Sequence, residues 1–472
     1  MELDPLLLSR IQFAFVVSFH AIFPVFTIGL ASYIAVLEGL FFKTENPVWD
    51  RLALFWTRIF AVVFGMGVVS GIVMAFQFGT NWSNFSYATA NFLGPALSYE
   101  VVTAFFLEAT FLGILLFGRD RVPAGTHVFA ASMVALGTFI SAFWILATNS
   151  WMQTPAGTEL QDGIFHVTSW GEAIFNPSFP YRFLHMAFAS FLTGGFVVAG
   201  VSAWFLLHGR DIEANKQALS MCMWLLLILA PAQALVGDYH GLNTLEYQPT
   251  KVAAMEANWE TQRGVPLVLF ALPDQETQTN HFEIAIPKLA SLILKHDWNG
   301  EVPGINAVPA EEQPPVGIVF WAFRLMVGLG VIMIGFALAG LWLRWRGRLY
   351  DHRLFLRGLT WMIAAPFVAV LAGWFVTEVG RVPWLVYGMM TQAQGLTPSL
   401  TGWMALVTLI GYILVYALVF TAGIYYLVHI VKAGMEENTE QQDRDIESAK
   451  RPMSAAHIPF DDYPQTSGPE TR

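Results

Sequence analysis

The sequence predicts an all-α fold: a polytopic transmembrane bundle of about nine spans, with its N-terminus outside and its C-terminus cytoplasmic. Three observations carry this. Runs of about 20 mostly apolar residues, the length that crosses a bilayer, recur along the chain. Charged residues make up 13% of the 472 residues, against about 25% in soluble proteins. The loops between runs alternate between basic and nearly base-free.

The runs fall near 11–40, 52–78, 97–118, 127–150, 183–208, 218–237, 317–343, 355–379 and 400–431. Turn chemistry separates them at Glu45-Asn46-Pro47, Gly94-Pro95, Arg121-Val122-Pro123, Asn176-Pro177 and Gly380-Arg381. Lys43 and Arg51 follow the first run, Arg119 and Arg121 the third, and Arg210 and Lys216 the fifth. Five arginines, from Arg344 to Arg357, surround the turn after the seventh. The loop 79–96 has no basic residue, and those after the fourth and eighth runs have only Arg182 and Arg381. Basic loops stay in the cytoplasm, which sets the orientation. No cleavable signal is expected, because Ile11–Leu40 is too long for a signal core and Met1–Ser9 lacks basic residues.

The domain reading is helices 1–6 in 1–237, a proline-rich outer loop 238–316, helices 7–9 in 317–434, and a disordered acidic cytoplasmic tail 435–472. The single cysteine, Cys222, excludes an intrachain disulfide and a Cys-ligated iron–sulfur cluster. The 17 tryptophans suit interface belts against membrane lipid. The net charge of −10, much of it in the tail, gives no basis for binding nucleic acid.

Polar residues inside the runs carry the chemistry, because ionisable groups there are costly and usually face the bundle interior. Glu378 and Arg381 are three apart and share a helix face. They fit either an ion pair anchoring a helix end or a functional site. His20 in the first run and His185 at the start of the fifth read as hydrogen-bonded or interfacial residues, or as ligands. Met326, taken alone, reads as packing. Glu100 and Glu108 lie two turns plus about 80° apart on one helix, on neighbouring sides of one face, as in a proton relay or cation path. Glu108 is too deep to snorkel. Orientation places His20, Glu100, His185, Met326 and Glu378 in the outer half of the membrane, with Glu108 nearer the cytoplasm. Histidines, a methionine and carboxylates at one depth are what buried heme needs, and a His–Met pair makes a low-spin, six-coordinate site.

These residues, in this order, resemble cytochrome bd-type quinol oxidase subunit I. The matching segments are LSRIQFAFVVSFH (8–20), FQFGTNWS (76–83), SYEVVTAFFLEATFLG (98–113), LGTFISAFWILATNSWMQ (136–153), RFLHM (182–186), TKVAAMEANWETQ (250–262), WAFRLMV (321–327) and AGWFVTEVGRVPW (372–384). The resemblance implies a multi-pass protein of the bacterial cytoplasmic membrane that oxidises quinol and reduces dioxygen to water. His185 and Met326 would ligate a low-spin heme b. His20 and Glu378 would serve a high-spin heme b and a heme d, or a further heme b, with the pairing open. Glu100 would sit at that heme pair, with or without a ligand role, and Glu108 on the proton path to it. Trp374 would stand beside the pair. Arg381 would neutralise heme charge, and Arg324 and Arg10 would likewise serve cofactor binding. Lys251 and Glu256 would bind quinol in the outer loop. They point about 140° apart on an unbroken helix, so either the helix is irregular or they grip different parts of the site. Without the resemblance this segment reads as exposed and amphipathic. The loop is short, as in the branch that includes cyanide-insensitive oxidases, and Val382 stands where members often have Gln. Implied partners are subunit II and, in many members, a single-span small subunit. The rival readings are a secondary transporter coupled through Glu100 and Glu108, and a cytochrome b that does not touch dioxygen.

Overall fold

The computed structural model describes residues 3–435. Among the described residues nine helices are long and apolar enough to cross a membrane: Pro5–Thr44, Pro47–Thr80, Ala90–Phe117, Ala124–Gln153, Phe179–Leu207, Ile212–Tyr247, Ala310–Trp345, Arg353–Val379 and Gly402–Ala433. Local signals set several of their ends. Asp4 and Asn46 cap the first and second spans, each followed by proline at the first helical position. Thr401 caps the ninth by accepting a hydrogen bond from the Met404 amide. The acidic tail expected from 435 lies, from 436 on, outside the described residues.

The first span is the axis of the bundle. Val16, Leu30, Ile34 and Leu37 on it are fully buried. A Cβ on Gly29 would lie 2.3 Å from the Ser190 carbonyl oxygen, and one on Gly194 would lie 3.0 Å from the Gly29 carbonyl carbon. Two glycines thus let the backbones of the first and fifth spans touch, the usual device where no water drives helices together.

Three features differ from the sequence reading. The sixth span does not stop at 237 but runs to Tyr247, and Pro249 then starts the short helix Pro249–Glu256. The eighth span is two helices, Arg353–Trp361 and Ala365–Val379, interrupted at 362–364, because Pro366 has no amide to donate to the carbonyl four residues back and its ring clashes there, whereas it is tolerated in the first turn of the second helix. The third span holds a π-helical turn, Val101–Phe105, between Ala90–Glu100 and Phe106–Phe117.

The connections after the fourth, sixth and eighth spans share one face of the bundle. Each carries antiparallel two-stranded ribbons: Thr158–Gln161 with Ile164–Val167, Leu267–Asp274 with Thr279–Ile286, Gln262–Arg263 with Glu301–Val302, and Trp384–Val386 with Met390–Thr391. This is the ribbon face. The opposite, basic face carries the Lys/Arg-rich turns. There Arg119 pairs with Glu38 and Asp50, and His127 lies 3.1 Å from Glu38, tying together the ends of four spans.

Candidate active site

Glu378 closes the eighth span one residue before the helix ends. Its Oε1 accepts from Asn149 Nδ2 at 2.9 Å and from Gln153 Nε2 at 3.3 Å, both on the fourth span. Its Oε2 accepts from Arg381. Arg182, at the start of the fifth span, donates to Asn149 Oδ1 at 3.2 Å. Glu378 and Arg381 are thus paired, as their spacing predicts, but inside a larger network rather than as a surface anchor. Only 4% of the Arg381 side chain is exposed, and burial lowers its pKa from the ordinary guanidinium value.

Lys251 extends the network. Its Nζ donates at 2.6 Å both to Gln153 Oε1 and to Gln248 Oε1. A chain of side chains therefore runs Lys251–Gln153–Glu378–Arg381. The helix Pro249–Glu256 is not an exposed amphipathic segment: all of Lys251–Glu256 is buried, packed with Phe320 and Val376. Burial pushes the Lys251 pKa well below the ordinary lysine value, and the nearby Arg182 and Arg381 add to this. The helix is unbroken, so Lys251 and Glu256 do grip different parts of the protein. Glu256 Oε2 accepts from Arg324 Nη2 at 2.7 Å, on the seventh span, and Arg324 Nε donates to the Val268 carbonyl.

His185 is held through its backbone: Gln233 Nε2 on the sixth span donates to its carbonyl at 3.0 Å. Its Cε1 would lie 3.3 Å from a Cβ on Gly237, and Met326 Sδ would lie 3.0 Å from one on Gly373. Both side chains thus lie against bare backbone of a neighbouring span. His20 Nδ1 is 2.9 Å from Ser70 Oγ, which itself donates to the Gly67 carbonyl, so the ring orientation is fixed and Nε2 is left over.

Buried polar atoms without partners show what the site is built to hold. Arg381 Nε and Nη1, Arg182 Nε, Trp374 Nε1 and His185 Nδ1 are buried and unsatisfied. Leaving such groups bare is costly. Two guanidinium groups against one Glu378 carboxylate leave excess positive charge, which fits an anionic cofactor such as a heme with its propionates. Among the described residues no three His, Cys, Asp or Glu side chains converge as a metal site. The candidate ligands are instead dispersed, which suits iron whose other positions are filled by a macrocycle. Arg10 makes no hydrogen bond or ion pair among the described residues.

The two glutamates of the third span differ from expectation in an informative way. The π turn between them takes up one extra residue, or about 100° of rotation, so the 80° offset of a regular helix becomes about 20°. They fall along one line facing the fourth span. Ser141 Oγ donates to Glu100 Oε1 at 2.7 Å. One turn away, Gly137 makes room for Glu108: a Cβ there would lie 2.5 Å from Glu108 Cγ.

Comparison with known proteins fixes the family. The family model described as cytochrome bd terminal oxidase subunit I matches residues 8–435. The chain belongs to that family. It is 36% identical over 447 residues to the cytochrome bd ubiquinol oxidase subunit 1 of Bacillus subtilis strain 168, covering 92% of this chain and 95% of that one. It is 30% identical over 516 residues to the cytochrome bd-II ubiquinol oxidase subunit 1 of Escherichia coli strain K12, covering 93% and 99%. A solved bd oxidase structure from Geobacillus thermodenitrificans matches with a TM-score of 0.85 and 32% identity, over 91% of this chain and 99% of that one. The protein is therefore a subunit of a terminal quinol oxidase, a heme enzyme spanning the bacterial inner membrane many times.

Within this cytochrome bd subunit, sequence reasoning singled out Glu378, Arg381, Lys251, Glu256 and Arg324, and the structure links them by hydrogen bonds in the two groups described. It does not bring His20 or Arg10 into those groups. Gln153, Asn149, Gln248 and Arg182 were given no role, though the first two stand in the quoted segment 136–153. His240 was missed altogether; its ring lies 5.4 Å from that of His185. A second polar residue within the sixth span was the available signal.

Proposed function

We propose that the ribbon face lies outside the cell, that quinol is oxidised there, and that dioxygen is reduced to water at a high-spin heme pair using cytoplasmic protons. His185 and Met326 would hold a low-spin heme b. His20 and Glu378 would serve the high-spin hemes, one of them heme b and the other heme d or b. Bound hemes would supply electron transfer and the iron that binds dioxygen.

The chain's own groups supply orientation and protons. Glu256, held by Arg324, and Lys251, a buried amine, would hold the two ends of the quinol head. Glu256 would accept a quinol proton and pass it to the outside. Arg182, Arg381 and the Trp374 indole N–H would orient cofactor carboxylates. Glu108, Ser141 and Glu100 would carry protons inward from the basic face. Each quinol releases its protons outside, and dioxygen takes an equal number from inside, so a gradient forms without pumping. Subunit II, the partner of this family, would cover the third span, where Val101, Val102, Phe105 and Phe106 are exposed. A single-span small subunit would complete the complex.

The observation that carries the reading is the hydrogen-bonded chain from Lys251 through Gln153 to Glu378, which joins the proposed quinol helix to a proposed heme ligand. The test is a reduced-minus-oxidised spectrum of the purified two-subunit complex, with oxygen uptake driven by a soluble quinol. Low-spin and high-spin heme signals with quinol-dependent uptake are expected. Heme without oxygen uptake would refute it.

A further inference from the structure

The hairpin Leu267–Asp274/Thr279–Ile286 has one packed face and one bare one. Val268 and Ala271 are buried. Leu269, Phe270, Leu272, Phe282, Ile284 and Ile286 are exposed, Phe282 at 78% and Ile284 at 61%. An apolar ribbon of this kind in water would invite aggregation.

Its attachment fixes its depth. Arg324 Nε donates to the Val268 carbonyl, the Phe270 ring lies 5.1 Å from that of Trp321, and Gln275 accepts from the Val316 amide. All three anchors lie near the start of Val316–Trp345, the continuous helix of the seventh span. Thirty residues of helix extend about 45 Å. The hydrocarbon core is about 30 Å thick, so a centred helix overhangs by about 7 Å at each end. Trp321 lies about 8 Å and Arg324 about 12 Å along it, at the boundary between headgroups and acyl chains. Ile318 and Leu325 on the same stretch are exposed, as lipid-facing residues are, and Trp321 between them carries the contact with Phe270 of the hairpin.

We propose that the apolar face of this hairpin lies in the lipid of the ribbon-face leaflet, and that it opens the Glu256–Arg324 pair to quinol arriving from the bilayer rather than from water. The second half rests on the quinol-site reading above; the first does not. The hairpin's charged groups gather toward the turn end. Asp274 ends the first strand on the same side as Phe270 and Leu272, with His281 Nε2 3.5 Å from it, Glu276 is in the turn, and Glu283 is held by Asn280 Nδ2 at 3.0 Å.

The test uses the two-subunit complex in proteoliposomes. Single cysteines replace Ile284, Phe282 or the turn residue Glu276 and carry nitroxide labels; Cys222 is buried and stays silent. Labels at 284 and 282 should collide several-fold more with dissolved oxygen, relative to a water-soluble nickel chelate, than the label at 276. Ratios equal to that at 276 would put the face in water and overturn the proposal. Protection from both reagents would show a protein cover, subunit II or a second copy, and would also overturn it. For the second half, the double variant Phe282→Ser, Ile284→Ser is assayed with a long-tailed quinol in the bilayer and a short-tailed soluble one. KM should rise several-fold for the first alone. Unchanged KM for both refutes the access route, whatever the labels report. The lipid contact stands or falls on the labels, and failure of the quinol reading shows separately, as wild-type KM for both quinols in Glu256→Gln.

Discussion

Glu108→Gln is the most discriminating perturbation. The amide keeps the shape of the carboxyl and its place against Gly137, but it cannot hold an exchangeable proton. Eight residues separate Glu108 from Glu100, about 12 Å of helical rise. Direct transfer over that distance is impossible. The π turn aligns the two carboxyls, and Ser141 already donates to Glu100 at 2.7 Å, so a few waters along the fourth span would complete the path. Bare hydrocarbon carries no protons, so on the proposed path the aligned carboxyls would be the means of crossing. A positioned proton-transfer group contributes about 10²–10⁴-fold, and steady-state dioxygen reduction should fall by about 10² or more. Heme insertion and the first electrons from quinol should remain near normal, since among the described residues no hydrogen bond or ion pair joins Lys251 or Glu256 to the third span. The assay is turnover in proteoliposomes, with pH jumped on one side at a time, alongside the rate of heme reduction by quinol. Wild-type turnover, or an oxygen site that answers only to pH on the ribbon face, would refute the path through this helix.

Met326→Leu keeps volume and removes the sulfur; the low-spin signal should turn high-spin or vanish, and the potential should fall, as an optical redox titration reads. Lys251→Met should impair quinol oxidation and also disturb the high-spin spectrum, because Gln153 loses a partner and itself holds Glu378; full quinol turnover with unchanged spectra would contradict this. Glu100→Gln weakens the hydrogen bond from Ser141 and should perturb the high-spin bands, whereas Glu108→Gln should leave them near wild type. Arg119→Met strands Glu38, whose side chain is 3% exposed, with only His127; the complex should lose about 2–4 kcal/mol, seen as a lower thermal unfolding midpoint with an unchanged heme spectrum.

The sequence by itself determined the spans and the ionisable residues that stand within them. A bilayer imposes its thickness on every crossing helix, so each span is a local property of about 20 residues. Ionisable groups within spans are costly enough to stand out singly, which is why Glu100, Glu108, Glu378 and His20 were legible. The sequence did not determine partnership. Gln153 and Glu378 are 225 residues apart and Glu256 and Arg324 are 68 apart, and nothing local in either segment specifies the other. Hydropathy could not show that Lys251 is buried, because its helix is polar enough to read as exposed and is covered only by packing from Phe320 and Val376. The π turn was equally hidden. A regular period puts Glu100 and Glu108 about 80° apart, and only the packing of the third span against the fourth, with Ser141 and Gly137 facing it, aligns them. Chemistry per residue is written locally; direction and pairing come from helices that meet only after the chain has folded.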